Sequence, residues 1–198
     1  MTTTKQTTVF KTGFLLLGLF ISMSVFCQVK YSIKSVVGLT LNGTSTMHDW
    51  EMKSTKGNCE ATITFNASGA ITGLSGLSFV TPARELKSGK DAMDKNAYKA
   101  LKTDKNANIS FTSASATVIA VDANNFVVKA PGKLNIAGTA VDVEITATGK
   151  INVDKSISFV GSKKISMKDY NMTPPSFMMG TIKTGNDVTL KFDLKLTK

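Results

Sequence analysis

From Lys30 onward the chain alternates in twos. Ala61, Ile63 and Phe65 are apolar and interleave with Glu60, Thr62 and Thr64, the pattern of a strand with one buried and one wet face. The same alternation recurs over residues 77–81, 109–121, 126–136, 141–153, 157–167 and 188–196. Ahead of them, residues 31–50 predict one long strand or two shorter ones interrupted around Asn42-Gly43. Turn chemistry marks the pauses at Asp122-Ala123-Asn124-Asn125, Gly138-Thr139, Asp154-Lys155 and Thr184-Gly185-Asn186-Asp187. Strands joined by such short turns run antiparallel, so the expected class is all-β, a barrel or sandwich of about eight strands. One segment departs from the rhythm: between Ser88 and Asn106, Ala92, Met93, Ala97, Tyr98, Ala100 and Leu101 are spaced for a short helix, with Asp91 as its expected cap.

The apolar faces of four consecutive strands share a further pattern. Phe126, Val128, Ala130, Gly132, Leu134 and Ile136 run from large through small to large. So do Ile109 to Ile119, Val141 to Val153 through Ala147 and Gly149, and Ile157 to Met167 through Gly161 and Lys163. A sandwich core about 10 Å thick needs bulk at mid-height. Small residues there predict a void that a ligand occupies, and a barrel filled by its own tapered side chains is the alternative. Pro174-Pro175 break the strand pattern nearby, and the loop holding them carries Met172, Phe177, Met178 and Met179. Flexible thioethers suit either a pliable apolar guest or the capping of one barrel end.

Charge and cysteines narrow the classes. The 198 residues carry a formal net charge of +10, with 24 Lys and Arg against 14 Asp and Glu. The lysines are spread along the chain and Arg84 is the single arginine, unlike the clustered, aromatic-interleaved cations of nucleic-acid surfaces, so no nucleic-acid partner is expected. The charge fits solubility and a transient contact with anionic membrane surfaces. Lys5 and Lys11 precede an uncharged run from Gly13 to Phe26, too short for the roughly 20 residues of a spanning helix and shaped as an export leader. Residues 1–27 are expected to be removed, leaving a single exported domain over 28–198, periplasmic or extracellular. Acylation of Cys27 is the alternative, disfavoured by the bulk of Phe26. After such a cut Cys59 is the only thiol, so no internal disulfide can form.

The stretch Ser45-Thr46-Met47-His48-Asp49-Trp50 holds the only histidine and the only tryptophan. Neighbouring residues on a strand point to opposite faces, so His48 and Asp49 do not make a base and its orienting carboxylate without a bulge. No Gly-x-Ser-x-Gly elbow is present, Cys59 lacks a histidine partner, and one histidine leaves zinc without a recognisable ligand spacing. The expectation is a protein that is not an enzyme and needs no cofactor or metal. Alternation, if it continues here, puts Thr46, His48, Trp50 and Met52 on one face.

Several segments carry a resemblance that spans nearly all of the chain after the leader. Gly43 to Trp50 reads GTSTMHDW; Leu86 to Lys102 reads LKSGKDAMDKNAYKALK; Gly132 to Val143 reads GKLNIAGTAVDV; Ser166 to Leu194 reads SMKDYNMTPPSFMMGTIKTGNDVTLKFDL. In this order they resemble the YceI-like lipid-binding proteins, in particular secreted members with a GTSTLHDW-type motif. The resemblance implies an extended eight-stranded, lipocalin-like antiparallel barrel with one short helix, and a long isoprenoid or other lipid-like chain as guest. With the inner-face pattern, it makes Phe111, Phe126, Ile145, Phe159 and Phe192 the expected lining, Ala130, Ala147 and Gly161 the small mid-height stations, and Phe177, Met178 and Met179 the mouth. His48 and Trp50 are expected to touch the guest. Lys163 meets its polar head group if no bulge follows Gly161.

Overall fold

The computed structural model of the protein describes Thr2, residues 27–33 and residues 38–198. The uncharged run 13–26 of the expected leader lies outside them, and the described chain resumes at Cys27. The strands are β1 (Cys27–Ile33), β2 (Gly38–Ser45), β3 (Trp50–Ser54), β4 (Asn58–Phe65), β5 (Ile71–Pro82), β6 (Asn108–Ala120), β7 (Asn125–Ile136), β8 (Thr139–Ile151), β9 (Ile157–Ser166), β10 (Ser176–Phe177) and β11 (Ile182–Leu196). The single α-helix among the described residues, α1, is Asp91–Ala100.

All the strand pairs are antiparallel, and the sheet runs β1-β4-β5-β6-β7-β8-β9-β11-β2-β3, with β10 added to β11. The sheet curls back on itself, because Ser32 at the end of β1 exchanges backbone hydrogen bonds of 2.8 and 3.1 Å with Thr197 beyond β11. β1 therefore lies between β4 and the end of β11, and β2 between β11 and β3. The described sheet has eleven strands where about eight are expected, the region before Phe65 being divided into four short ones.

Four local departures have plain causes. Strand β2 runs through Asn42-Gly43 without interruption, because Trp50 lies over the space where a Gly43 side chain would be, a Cβ there falling 2.2 Å from the indole. The segment Thr184 to Asp187 is not a turn: β11 passes through it with a register shift before Val188, a β-bulge inside a long strand. β6 bulges too. Its register with β7 shifts between Thr112 and Thr117, where the Ser113 hydroxyl donates to the Pro131 and Ser115 carbonyls. The inner face therefore passes from Ser113 to Ala116 and Val118, leaving Ser115, Thr117 and Ile119 outside. The β7–β8 hairpin turns on Ala137-Gly138, one residue earlier than expected, with φ of 52° and 81° as a two-residue turn of this hand requires.

Helix α1 lies against one end of the barrel. Its N-cap is Lys90, and Asp91 makes no capping hydrogen bond. The start is fixed instead by buried Asp94, whose carboxylate accepts from the Ser88 backbone N–H (2.8 Å) and hydroxyl (2.7 Å). Tyr98 anchors the far side by donating to the carbonyls of Arg84 and Leu86. The helix is held by polar contacts at its edges, so its Met93, Ala97 and Leu101 face the barrel.

Candidate functional site

Among the described residues two cavities lie in the barrel, and Leu39, Ile109 and Leu190 line both, so they meet at one level. The larger, about 370 Å³, lies between the mouth and α1 and is within the size range of ligand pockets, about 300–1,000 Å³. The smaller, about 90 Å³, continues toward the opposite end.

Sequence expectations divide between them. His48, Trp50, Phe177 and Met178 line the upper cavity. Phe111, Ala130, Ile145, Ala147, Phe159 and Phe192 line the lower one. Phe126 lines neither: its ring fills the space over Gly149, where a Cβ would fall 2.1 Å from it, and packs edge-on against Phe159 at 5.8 Å. Gly161 is no void either, since a Cβ there would sit 2.4 Å from the Phe192 ring and 2.6 Å from the Thr146 carbonyl oxygen. Gly132 repeats the arrangement with Phe111. The glycine stations in the lower half are thus occupied by aromatic rings, while Ala130 and Ala147 border the passage. The expected mid-height void is replaced by a narrow passage, and the open volume sits higher.

At the mouth the chain reverses between β2 and β3. Residues 46–49 lie outside the strands, so alternation does not place His48. The Ser45 hydroxyl donates to the His48 carbonyl at 2.7 Å and accepts the backbone N–H groups of Met47 and His48. His48 Nδ1 lies 2.7 Å from the Asp49 carbonyl oxygen, to which it donates. The Asp49 carboxylate is not its partner. Trp50 Nε1 donates to the Thr44 carbonyl at 2.9 Å, so the indole has its polar atom satisfied and its faces free for Gly43 and the cavity.

The second loop, from Tyr170 to Ile182, closes the other side of the mouth with Met172, Pro175 and Phe177. Met178 and Met179 both adopt the left-handed region, with φ of 49° and 54°, a conformation costly for residues with a Cβ. Met178 borders the cavity while mostly exposed. Met179 projects fully into solvent and does not line it.

Sequence reasoning missed the helix as a wall. Ala92, Ala97 and Ala100 present methyl groups to the cavity, and their smallness holds the upper half open. Their spacing had signalled a helix, and small residues on its apolar face were the available clue. Beneath, Cys59 is buried and lines the lower cavity; burial, then the charge of Glu60, pushes its thiol up to about 12, so it stays protonated. Among the described residues no group of three or more His, Cys, Asp or Glu side chains is placed to hold a metal ion. What this site offers is apolar volume with a few polar groups at its rim, Ser45, His48, Lys90 and Thr184.

The YceI-like domain family matches residues 32–196. No curated protein matches the chain. Among solved structures, BcnA of Burkholderia cenocepacia is similar at a TM-score of 0.61 and 16% identity, covering 82% of this chain and 96% of its own. A polyisoprenoid binding domain from Saccharophagus degradans, implicated in plant cell wall breakdown, is similar at 0.60 and 12% identity, covering 84% of this chain and 97% of its own. At these identities the likeness is one of fold.

Proposed function

The chain belongs to the YceI-like domain family, and from that premise we propose that it is an exported, non-enzymatic binding protein holding a long apolar or amphiphilic chain in its barrel. The observation that carries this reading is the upper cavity of about 370 Å³, walled by α1 and by methionine and leucine side chains and continued by the narrow lower passage. Polyisoprenoid, quinone and fatty-acyl chains are the guests considered, and the polyisoprenoid binding of the Saccharophagus degradans domain favours the first. The physical task is simple. Each methylene exposed to water costs about 0.8 kcal/mol, so a barrel that buries the chain makes it portable across an aqueous compartment without a catalytic group.

One observation favours a second reading, an interaction barrel with a filled core: the rings of Phe111, Phe126 and Phe192 occupy the glycine stations of the lower half. Mass spectrometry of chloroform extracts from gently purified protein separates the two. A stoichiometric lipid supports a carrier, and a clean extract from protein that also takes up no apolar probe favours the filled barrel. Intact-mass analysis of exported material tests the leader, with an N-terminus near Gln28 expected and retention of the segment before it, or acylated Cys27, contradicting it.

A further inference from the structure

β9 is paired unequally on its two sides. Against β11 its register is unbroken from Ile157↔Leu196 to Ser166↔Asp187. Against β8 the ladder runs only from Ile151↔Ile157 to Ala147↔Gly161 and then ends. β8 nevertheless continues to Thr139 on its β7 side. The two strands are joined again only past the end of β9, where the Asn171 side-chain amide donates to the Thr139 hydroxyl at 3.2 Å. Between the Ala147–Gly161 rung and that hydrogen bond, the β8–β9 seam is a window without a ladder.

Lys163 stands beside this window. The continuous β9–β11 register means that no bulge follows Gly161 on that side, so Phe159, Gly161, Lys163 and Ile165 share the inner face. Lys163 is partly buried opposite Leu190, which lines both cavities. Its neighbour Lys164 faces outward and pairs with Asp187 at 2.7 Å. Lys163, by contrast, has no ion pair or hydrogen bond from its side chain among the described residues. The inner positions around it are Val141, Val143 and Ile145 on β8 and Val188, Leu190 and Phe192 on β11, with no carboxylate among them. Lys163 is thus a basic side chain without a partner among the described residues, on a wall that is otherwise apolar. Lys163 itself lines neither cavity, but a lysine stem can lie along such a surface while its head reaches an opening beside them.

We propose that the β8–β9 window is the head-group station of the barrel, with Lys163 binding the anionic head, a carboxylate or a phosphate, of an amphiphile whose chain occupies the lumen. The inference rests on the chain-binding reading above and adds to it a charge preference and a place for the head other than the mouth, where His48 and Lys90 are the competing groups.

The test uses the exported protein and four probes in two matched pairs: a long-chain fatty acid with its alcohol, and a polyprenyl phosphate with its polyprenol. The parent is expected to bind at least one anionic member about tenfold more tightly than its neutral partner, and the pair showing the preference identifies carboxylate or phosphate. Lys163→Gln should abolish the preference while leaving the neutral probes within about twofold. Lys163→Arg should retain it, and the double variant His48→Gln, Lys90→Gln should leave it unchanged. Equal binding of both members by the parent, a preference that survives in Lys163→Gln, or its loss in the mouth double variant would each overturn the proposal. Failure of the parent to bind any of the four contradicts the chain-binding reading itself, a result distinct from all of these.

Discussion

The two halves of the barrel are built from the same alternating strands, yet one is closed and the other open. In the lower half, glycines on β7, β8 and β9 are each covered by a ring: Gly132 by Phe111, Gly149 by Phe126, Gly161 by Phe192. Small and large residues there are complementary parts of one packed layer, and a passage of about 90 Å³ is what remains. In the upper half the small residues are alanines of α1, which border open volume. Methionines and the hairpin carrying His48 and Trp50 form the rim, leaving about 370 Å³. Smallness along a strand does not by itself make a cavity; what matters is whether a neighbour supplies the missing bulk.

This contrast can be broken in a graded way. The largest expected effect is on stability in the lower half: Phe126→Ala removes a buried ring from over Gly149 and from its edge contact with Phe159, and should cost about 3–5 kcal/mol in denaturant unfolding. Overpacking the same half with Gly161→Leu should cost about 1–3 kcal/mol, because one close neighbour, the Thr146 carbonyl, is backbone and yields little. The upper half should behave oppositely. Ala97→Phe is expected to shift unfolding by less than about 1 kcal/mol, since it grows into existing space, while weakening apolar-probe binding about tenfold or more. If Ala97→Phe and Gly161→Leu have the same effect on stability, the two halves do not differ as described.

The smallest effect lies outside both halves, at the β8–β9 turn. The Asp154 carboxylate accepts from Lys195 Nζ at 2.8 Å and from the Ser156 hydroxyl and backbone N–H, which holds its pKa well below the usual range. A lowered folded-state pKa stabilises fully above the unfolded value, about 3.9, and the contribution is lost as pH falls through the folded value. Asp154→Asn should therefore slightly lower stability at neutral pH and flatten the acid side of the stability profile. The group is exposed, so the change should be small.

The alternation of apolar residues made the staves legible, because a half-buried strand must repeat every two residues. It also located the helix. It could not locate the β6 bulge: one extra residue at Ser113–Ser115 leaves the letters alternating while moving Ile119 from the inner to the outer face. The hairpin at His48 failed for a related reason, since face assignment by parity stops where the strand stops. The site was legible as a set of residues but not in its distribution. Phe126 and Phe192 look like lining in a one-dimensional pattern, and only their cross-strand neighbours show that the first fills a glycine gap and the second both fills one and borders the passage. Lys163 was placed conditionally, and the unbroken β9–β11 register meets that condition.

The central claim is that an apolar chain occupies the upper cavity, beside the only tryptophan in the protein. Trp50 lines that cavity with its indole N–H already bonded to Thr44, so its fluorescence reports the guest directly. A titration with a long alkyl chain brominated at mid-length is the most direct measurement. Saturable quenching at one chain per protein, weakened about tenfold or more by Ala97→Phe, is the result expected. Quenching that rises linearly without saturation, or a saturable signal that Ala97→Phe leaves unchanged, would contradict it.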